Sequence, residues 1–192
     1  MKVSAFPFSL LVRSLICGTT LLAATLLPTS LSASPVTLIG ENALGESWET
    51  GSDWSDGQPA GAGKDYIIDG SFSMRTPEDG DDDLFPGDSL TVDTAAFDKG
   101  IGFKASADKT VTFADLRWGG GRLNLGNDRT FTLAGGLDVF DGERVGILIN
   151  AAGNRSLTID SEVSGSGQIE VKLDDSAGTL KLTNPANSWK GE

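Results

Sequence analysis

The chain has 192 residues, a formal net charge of −12, 25 glycines, one cysteine and no histidine. With no histidine, and with its one thiol at Cys17, a Ser-His-Asp triad, a Cys-His nucleophile and the usual zinc sites are excluded. The acidic balance opposes nucleic acid phosphates and anionic membranes, and its simplest role is to solvate a glycine-rich chain.

The first 33 residues have the layout of a secretory signal peptide. Lys2 and Arg13 give a positive start, the run from Leu15 to Leu27 is apolar, and Pro28 precedes the small residues Ser30, Ser32, Ala33 and Ser34. Cleavage after Ser32 or Ala33 is expected. The apolar run of about 13 residues is shorter than the roughly 20 that span a bilayer, which opposes a membrane anchor. Cys17 sits inside this run behind Ile16, where a lipid-attachment site would carry a small residue. Removing Lys2 and Arg13 takes the net charge to −14 and leaves no cysteine, so packing and backbone ladders must hold the mature chain together. At about 159 residues it suits one domain with a slender core.

Residues 34–88 are expected to form an N-terminal cap and an acidic loop. Trp48 and Trp54 precede Tyr66-Ile-Ile68. Two indoles near the start of a coiled β structure can cover its exposed apolar end, and their N–H groups can serve nearby carbonyls. The alternative is a pair of sugar-stacking faces. From Glu78 to Asp83 five acids occupy six positions between two prolines, which reads as an exposed loop. Asp79, Asp81, Asp82 and Asp83 are the candidates there for a Ca²⁺ site, although the spacing lacks the alternating acids and distal Glu of an EF-hand loop.

Residues 89–192 are expected to be the repeats of a right-handed parallel β-helix of about five rungs. Five runs alternate apolar and polar residues: Leu90-Thr-Val92, Val111-Thr-Phe113, Phe131-Thr-Leu133, Leu157-Thr-Ile159 and Leu180-Lys-Leu182. Their starts step by 21, 20, 26 and 23 residues, the regularity of a chain coiling into stacked rungs. Glycine-rich corners such as Gly119-Gly-Gly121 and Gly135-Gly136 separate them, and no proline falls between Gly87 and Asn184. Thr91, Thr112, Thr132, Thr158 and Lys181 are expected to face outward. A β-sandwich is the alternative, but it would use longer strands without a fixed repeat.

The order of these motifs resembles bacterial proteins that carry autotransporter-associated β-strand repeats. Trp48…Trp54-Ser-Asp-Gly-Gln-Pro59 is similar to the start of those proteins, and Phe85-Pro-Gly-Asp-Ser-Leu-Thr-Val92 to a first-rung motif. Ser164-Gly-Ser-Gly-Gln-Ile169, then Gly178-Thr-Leu-Lys-Leu-Thr-Asn184, then Asn187-Ser-Trp189-Lys-Gly191, is similar to the repeat itself. The resemblance implies a right-handed parallel β-helix, exported or displayed at the cell surface, with no catalytic residues. Its pattern would run on past Glu192 into another strand, which reads as a truncated repeat with an open rung.

The function expected is therefore an exported structural or adhesive surface module, secreted by the general route, without catalysis or cofactor. Its expected partners are surface glycans or a second copy at the open rung. One alternative is a carbohydrate-binding module that stacks sugars on Trp48 and Trp54, with Trp118 and Trp189 as further faces. The other is a polysaccharide lyase or hydrolase using the acidic loop beside Arg75. The short coil, the clustering of the acids on one loop and the negative charge oppose that second alternative.

Overall fold

The computed structural model describes residues 34–126, 128–140, 143–149, 155–173 and 178–191. The expected leader, residues 1–33 with Cys17, lies outside them, as does Glu192. The remaining body is all-β. In chain order the strands are β1 (Val36–Thr37), β2 (Asp65–Ile68), β3 (Ser73–Arg75), β4 (Asp83–Leu84), β5 (Ser89–Val92), β6 (Gly100–Phe103) and β7 (Lys109–Trp118). They continue as β8 (Arg122–Leu125), β9 (Thr130–Val139), β10 (Arg144–Ile149), β11 (Ser156–Ile159), β12 (Glu162–Gly165), β13 (Gln168–Leu173) and β14 (Thr179–Leu182). One 3₁₀ turn covers Gly51–Asp53.

Every strand pairing among the described residues is parallel, apart from an isolated antiparallel bridge between Leu38 and Trp54. A sandwich of hairpins is thereby excluded and the chain is a β-solenoid. Its turns are visible in one inward row, Tyr66, Leu90, Leu116, Leu137, Val163, in which each residue is in register with the next. Four full turns separate five stacked levels.

The solenoid has three faces. The first carries β1, β2, β5, the C-terminal halves of β7 and β9, and β12. The second carries β4, the N-terminal halves of β7 and β9, β11 and β14. The third carries β3, β6, β8, β10 and β13. β7 and β9 run unbroken around the corner between the second and first faces, which joins those faces into one nine-stranded sheet. A bulge between Phe113 and Leu116 makes the bend. Opposite it, Gly135 has φ of 93°, and a Cβ there would lie 1.8 Å from the Phe113 carbonyl oxygen, so only glycine fits.

Alternation places every second side chain inside the tube. On the third face Met74, Ile101, Leu123 and Ile147 stack in register. On the second face Val111, Leu133 and Ile159 do the same, and all of these are at most 2% exposed. Thr91, Thr112, Thr132 and Thr158 face outward and are half-buried, and Lys181 is exposed.

Two expectations of register need correction. Leu90 belongs to the first face and pairs with Leu116, while the other four runs lie on the second face. Within that second face Phe131 aligns with Lys109, and Val111 aligns with Leu133, so the step there is two residues longer than the apolar pattern suggests. The cause is a charged residue in an apolar row: a search for matching hydrophobic residues passes over Lys109. The domain boundary at 88/89 also moves. Residues 65–84 supply β2, β3 and β4, each paired in parallel with the next level, and β1 already pairs in parallel with β2, so strands of the solenoid lie well before residue 89.

The N-terminal end is closed by an aromatic plug. Trp48 packs edge-on to Phe85 (5.5 Å between centroids) and Phe113 (6.0 Å), and Trp54 packs edge-on to Tyr66 (4.8 Å). The Trp54 indole N–H donates to the Trp48 carbonyl at 2.9 Å. At the other end Asn187–Gly191 begins a further level on the first face. Ser188 N donates to the Val163 carbonyl, Lys190 N donates to that of Gly165, and the Trp189 indole donates to the Gly167 carbonyl.

Candidate functional site

The outer surface of the third face is not filled along its whole length. Stacking in register forces residues two apart on each strand into two outward columns. One reads Ser73, Gly100, Arg122, Gly146, Glu170, and the other reads Arg75, Gly102, Asn124, Leu148, Lys172. Glycine thus removes the side chains at the second level and one of the two at the fourth, while long polar side chains flank them.

The two gaps have different fates. Above Gly146 the Phe97 ring lies on the sheet, so close that a Cβ on Gly146 would sit 2.7 Å from its Cζ. The Arg144 guanidinium covers that ring at 5.0 Å from its centroid and also pairs with Glu170. Above Gly100 and Gly102 no side chain of the described residues does this, and a cleft of about 310 Å³ remains. Gly100 is required by its backbone: at φ of 128° a Cβ would meet the Arg122 carbonyl oxygen at 2.4 Å. Gly102 is not so constrained. A Cβ there would find only ordinary contacts, with Arg75 Cγ and Met74 O at 3.7 Å.

Cations dominate the walls. Arg75, Lys104 and Arg122 line the cleft with Asn124, and Asp98 and Glu41 are the acids in the lining. Lys99 is also present, paired with Glu41 at 3.0 Å. Arg75 Nη1 donates to the Ala43 carbonyl at 2.7 Å, which holds its guanidinium in place. The Lys104 ammonium is pushed below its usual range, first by burial and then by the neighbouring Arg75 charge. Arg122 Nε and Asn124 Oδ1 are both buried atoms with no hydrogen-bond partner among the described residues. A donor and an acceptor, two residues apart on one strand, thus lie unsatisfied on a cationic wall.

The residues singled out in the sequence lie elsewhere. Trp48 and Trp54 are 2% and 0% exposed, so neither ring offers a face to a sugar. Trp118 is also buried, with its indole N–H bonded to the Gly120 carbonyl at 2.8 Å, and Trp189 packs against the core. Among the described residues no three acids, histidines or cysteines are grouped as metal ligands, in the acidic loop or elsewhere. The loop's acids serve the ladder. Asp79 Oδ1 and Asp83 Oδ2 meet the Lys109 ammonium at 2.8 and 2.7 Å, and Asp82 accepts the Thr110 amide at 2.6 Å. Asp81 turns back on Asp79, its amide donating to the Asp79 carboxylate. Arg75, expected beside these acids, is instead in the cleft of the third face.

Lys109 and Asp83 are inward residues of the second face, an ion pair inside the first levels of the tube. The Lys109 side chain is fully buried and the Asp83 side chain is 9% exposed. Burial raises the Asp83 carboxyl, against the pull of Lys109. The same ammonium lowers the exposed Asp79. No protein-family model, curated protein or solved structure matches this chain significantly.

Proposed function

We propose that this chain is a structural module exported to the bacterial surface, where its stiff β-solenoid serves display or adhesion and carries out no catalysis. The observation that carries the reading is the in-register ladder itself, five levels of parallel strands around an apolar interior, with aromatic rings closing its first level. Such a ladder gives length and rigidity from short repeats and asks no chemistry of its surface. The leader layout and the order of the motifs that resemble autotransporter-associated repeats support export and display. The acids that a polysaccharide lyase would need are engaged with Lys109 and with backbone amides, which weighs against that alternative.

The test is expression of the full chain, leader included, in a bacterium with two membranes. The expected product has left the cytoplasm and begins at Ala33 or Ser34 by mass spectrometry. Retention of the unprocessed chain in the cytoplasm would defeat export. Display that leaves cell attachment to surfaces and to other cells unchanged would defeat the adhesive role.

A further inference from the structure

We propose that the cleft over Gly100 and Gly102 binds the carboxylate of an acidic sugar, with Arg122 holding the carboxylate and Asn124 accepting an adjacent hydroxyl. The inference does not rest on export or display.

Its first support is the comparison of the two glycine gaps on one face. The fourth-level gap is filled by Phe97 from within the chain, and the second-level gap is left to solvent and walled by cations. Its second support is Gly102, whose missing side chain no packing or dihedral demands. A side chain there would close the cleft, and its absence keeps the cleft open. The third is the pair of unsatisfied atoms: Arg122 Nε offers a hydrogen and Asn124 Oδ1 requires one.

These atoms select among anions. Inorganic sulfate, or the fully ionised phosphate of a nucleotide backbone, brings acceptors alone and leaves Asn124 Oδ1 unpaired. The non-reducing end unit of a uronic acid chain carries its carboxylate on C5 and a free hydroxyl on C4, and satisfies both. The overall charge of −12 points the same way, since it repels densely charged polymers while a local cationic wall still attracts an isolated carboxylate. The outward columns lie along the solenoid axis with levels about 4.8 Å apart. The cleft lies between the side chains of the first and third levels, about 10 Å apart, which admits the end unit of a sugar chain.

Titration calorimetry of the purified protein with tetragalacturonate tests the assignment. Its methyl ester, which keeps the hydroxyls and loses the charge, and inorganic sulfate are the comparison ligands. Saturable binding of the acid and none of the ester or sulfate is expected. Arg122→Gln should weaken it about tenfold or more, the effect of losing one charge-assisted hydrogen bond. Gly102→Leu should abolish binding while the circular dichroism and thermal midpoint stay near those of the parent, because it fills the cleft as Phe97 fills its neighbour. Arg117→Gln, on the first face, should leave binding unchanged. Failure of the folded protein to bind tetragalacturonate, equal binding of the ester, equal binding of sulfate, or undiminished binding by Gly102→Leu would each overturn the proposal.

Discussion

Replacing Lys109 by Met would remove the only cation among the described residues that touches the buried carboxylate of Asp83. The geometry sets the size of the effect. The Lys109 ammonium has three oxygen contacts, Pro77 O at 2.9 Å, Asp79 Oδ1 at 2.8 Å and Asp83 Oδ2 at 2.7 Å, and its side chain is fully buried. Asp79 is half exposed and can return to water, so it contributes little to the loss. Asp83 is 9% exposed and cannot. A buried ion left without its partner costs about 3–5 kcal/mol, so K109M should lose about that much at pH 7. The loss must depend on pH. Burial already raises the folded-state carboxyl of Asp83 above the ordinary carboxylate range, and without Lys109 it rises further. A carboxyl that binds its proton more tightly when folded gives greatest stability below its unfolded pKa and loses it as pH climbs through the folded value. The deficit of K109M should therefore shrink on acidification from pH 7 toward pH 4. In the parent the lowered Asp79 carboxyl acts in the opposite sense: it adds stability above 3.8 that is lost as pH falls below it. The double variant D83L/K109M continues the apolar columns of Leu133 and Phe131 upward, and should return to within about 1–2 kcal/mol of the parent or exceed it. Urea unfolding followed by tryptophan fluorescence measures all three proteins. A K109M midpoint equal to the parent at pH 7, or a double variant no more stable than the single, would refute the buried-pair account.

Gly135→Ala places a Cβ against the Phe113 carbonyl at positive φ, and should destabilise the corner by more than about 1–2 kcal/mol, read as a lowered thermal midpoint. Trp54→Ala removes a fully buried indole from the plug and should cost about 3–5 kcal/mol in urea unfolding, with no change in tetragalacturonate binding, because the plug and the cleft share no residue. Among the described residues β14 pairs on one side alone, and Leu182 on it is 50% exposed. Leu182→Lys should therefore reduce any self-association seen by sedimentation at high concentration, with unaltered thermal stability.

The solenoid was legible because its interior obeys one simple constraint. Residues two apart point the same way and must be apolar on every turn, so Leu123-Asn-Leu125 and Leu157-Thr-Ile159 announce themselves. Register was less legible wherever a column departs from that constraint. Asp83 and Lys109 occupy inward positions, and because they neutralise each other the fold accepts them where the pattern predicts an apolar side chain. That substitution hid β4 inside an apparent acidic loop and shifted the second-face alignment by two residues. The cleft was illegible for another reason. Its cations come from strands some 20 to 30 residues apart in sequence and meet only once the levels are stacked. Gly100-Ile101-Gly102 gave the one local signal, two outward glycines flanking an inward isoleucine.

The charge of the whole chain misled in the same way, because a stacked fold sorts charge by face. Parallel, in-register levels bring identical outward positions to about 4.8 Å, where two like charges in water repel by roughly 0.9 kcal/mol. A cationic face can persist only if neutral residues come between. In the two outward columns of the third face no cation stands directly on another. Gly102, Asn124 and Leu148 separate Arg75 from Lys172, and glycine lies on either side of Arg122. Spacing by two levels or more brings the repulsion between neighbours to roughly 0.4 kcal/mol or less, and salt screens the remainder over about 8–10 Å. The same glycines that spread the charge also open the cleft. One sequence device thus relieves the repulsion between stacked cations and makes room for the anion that would neutralise them.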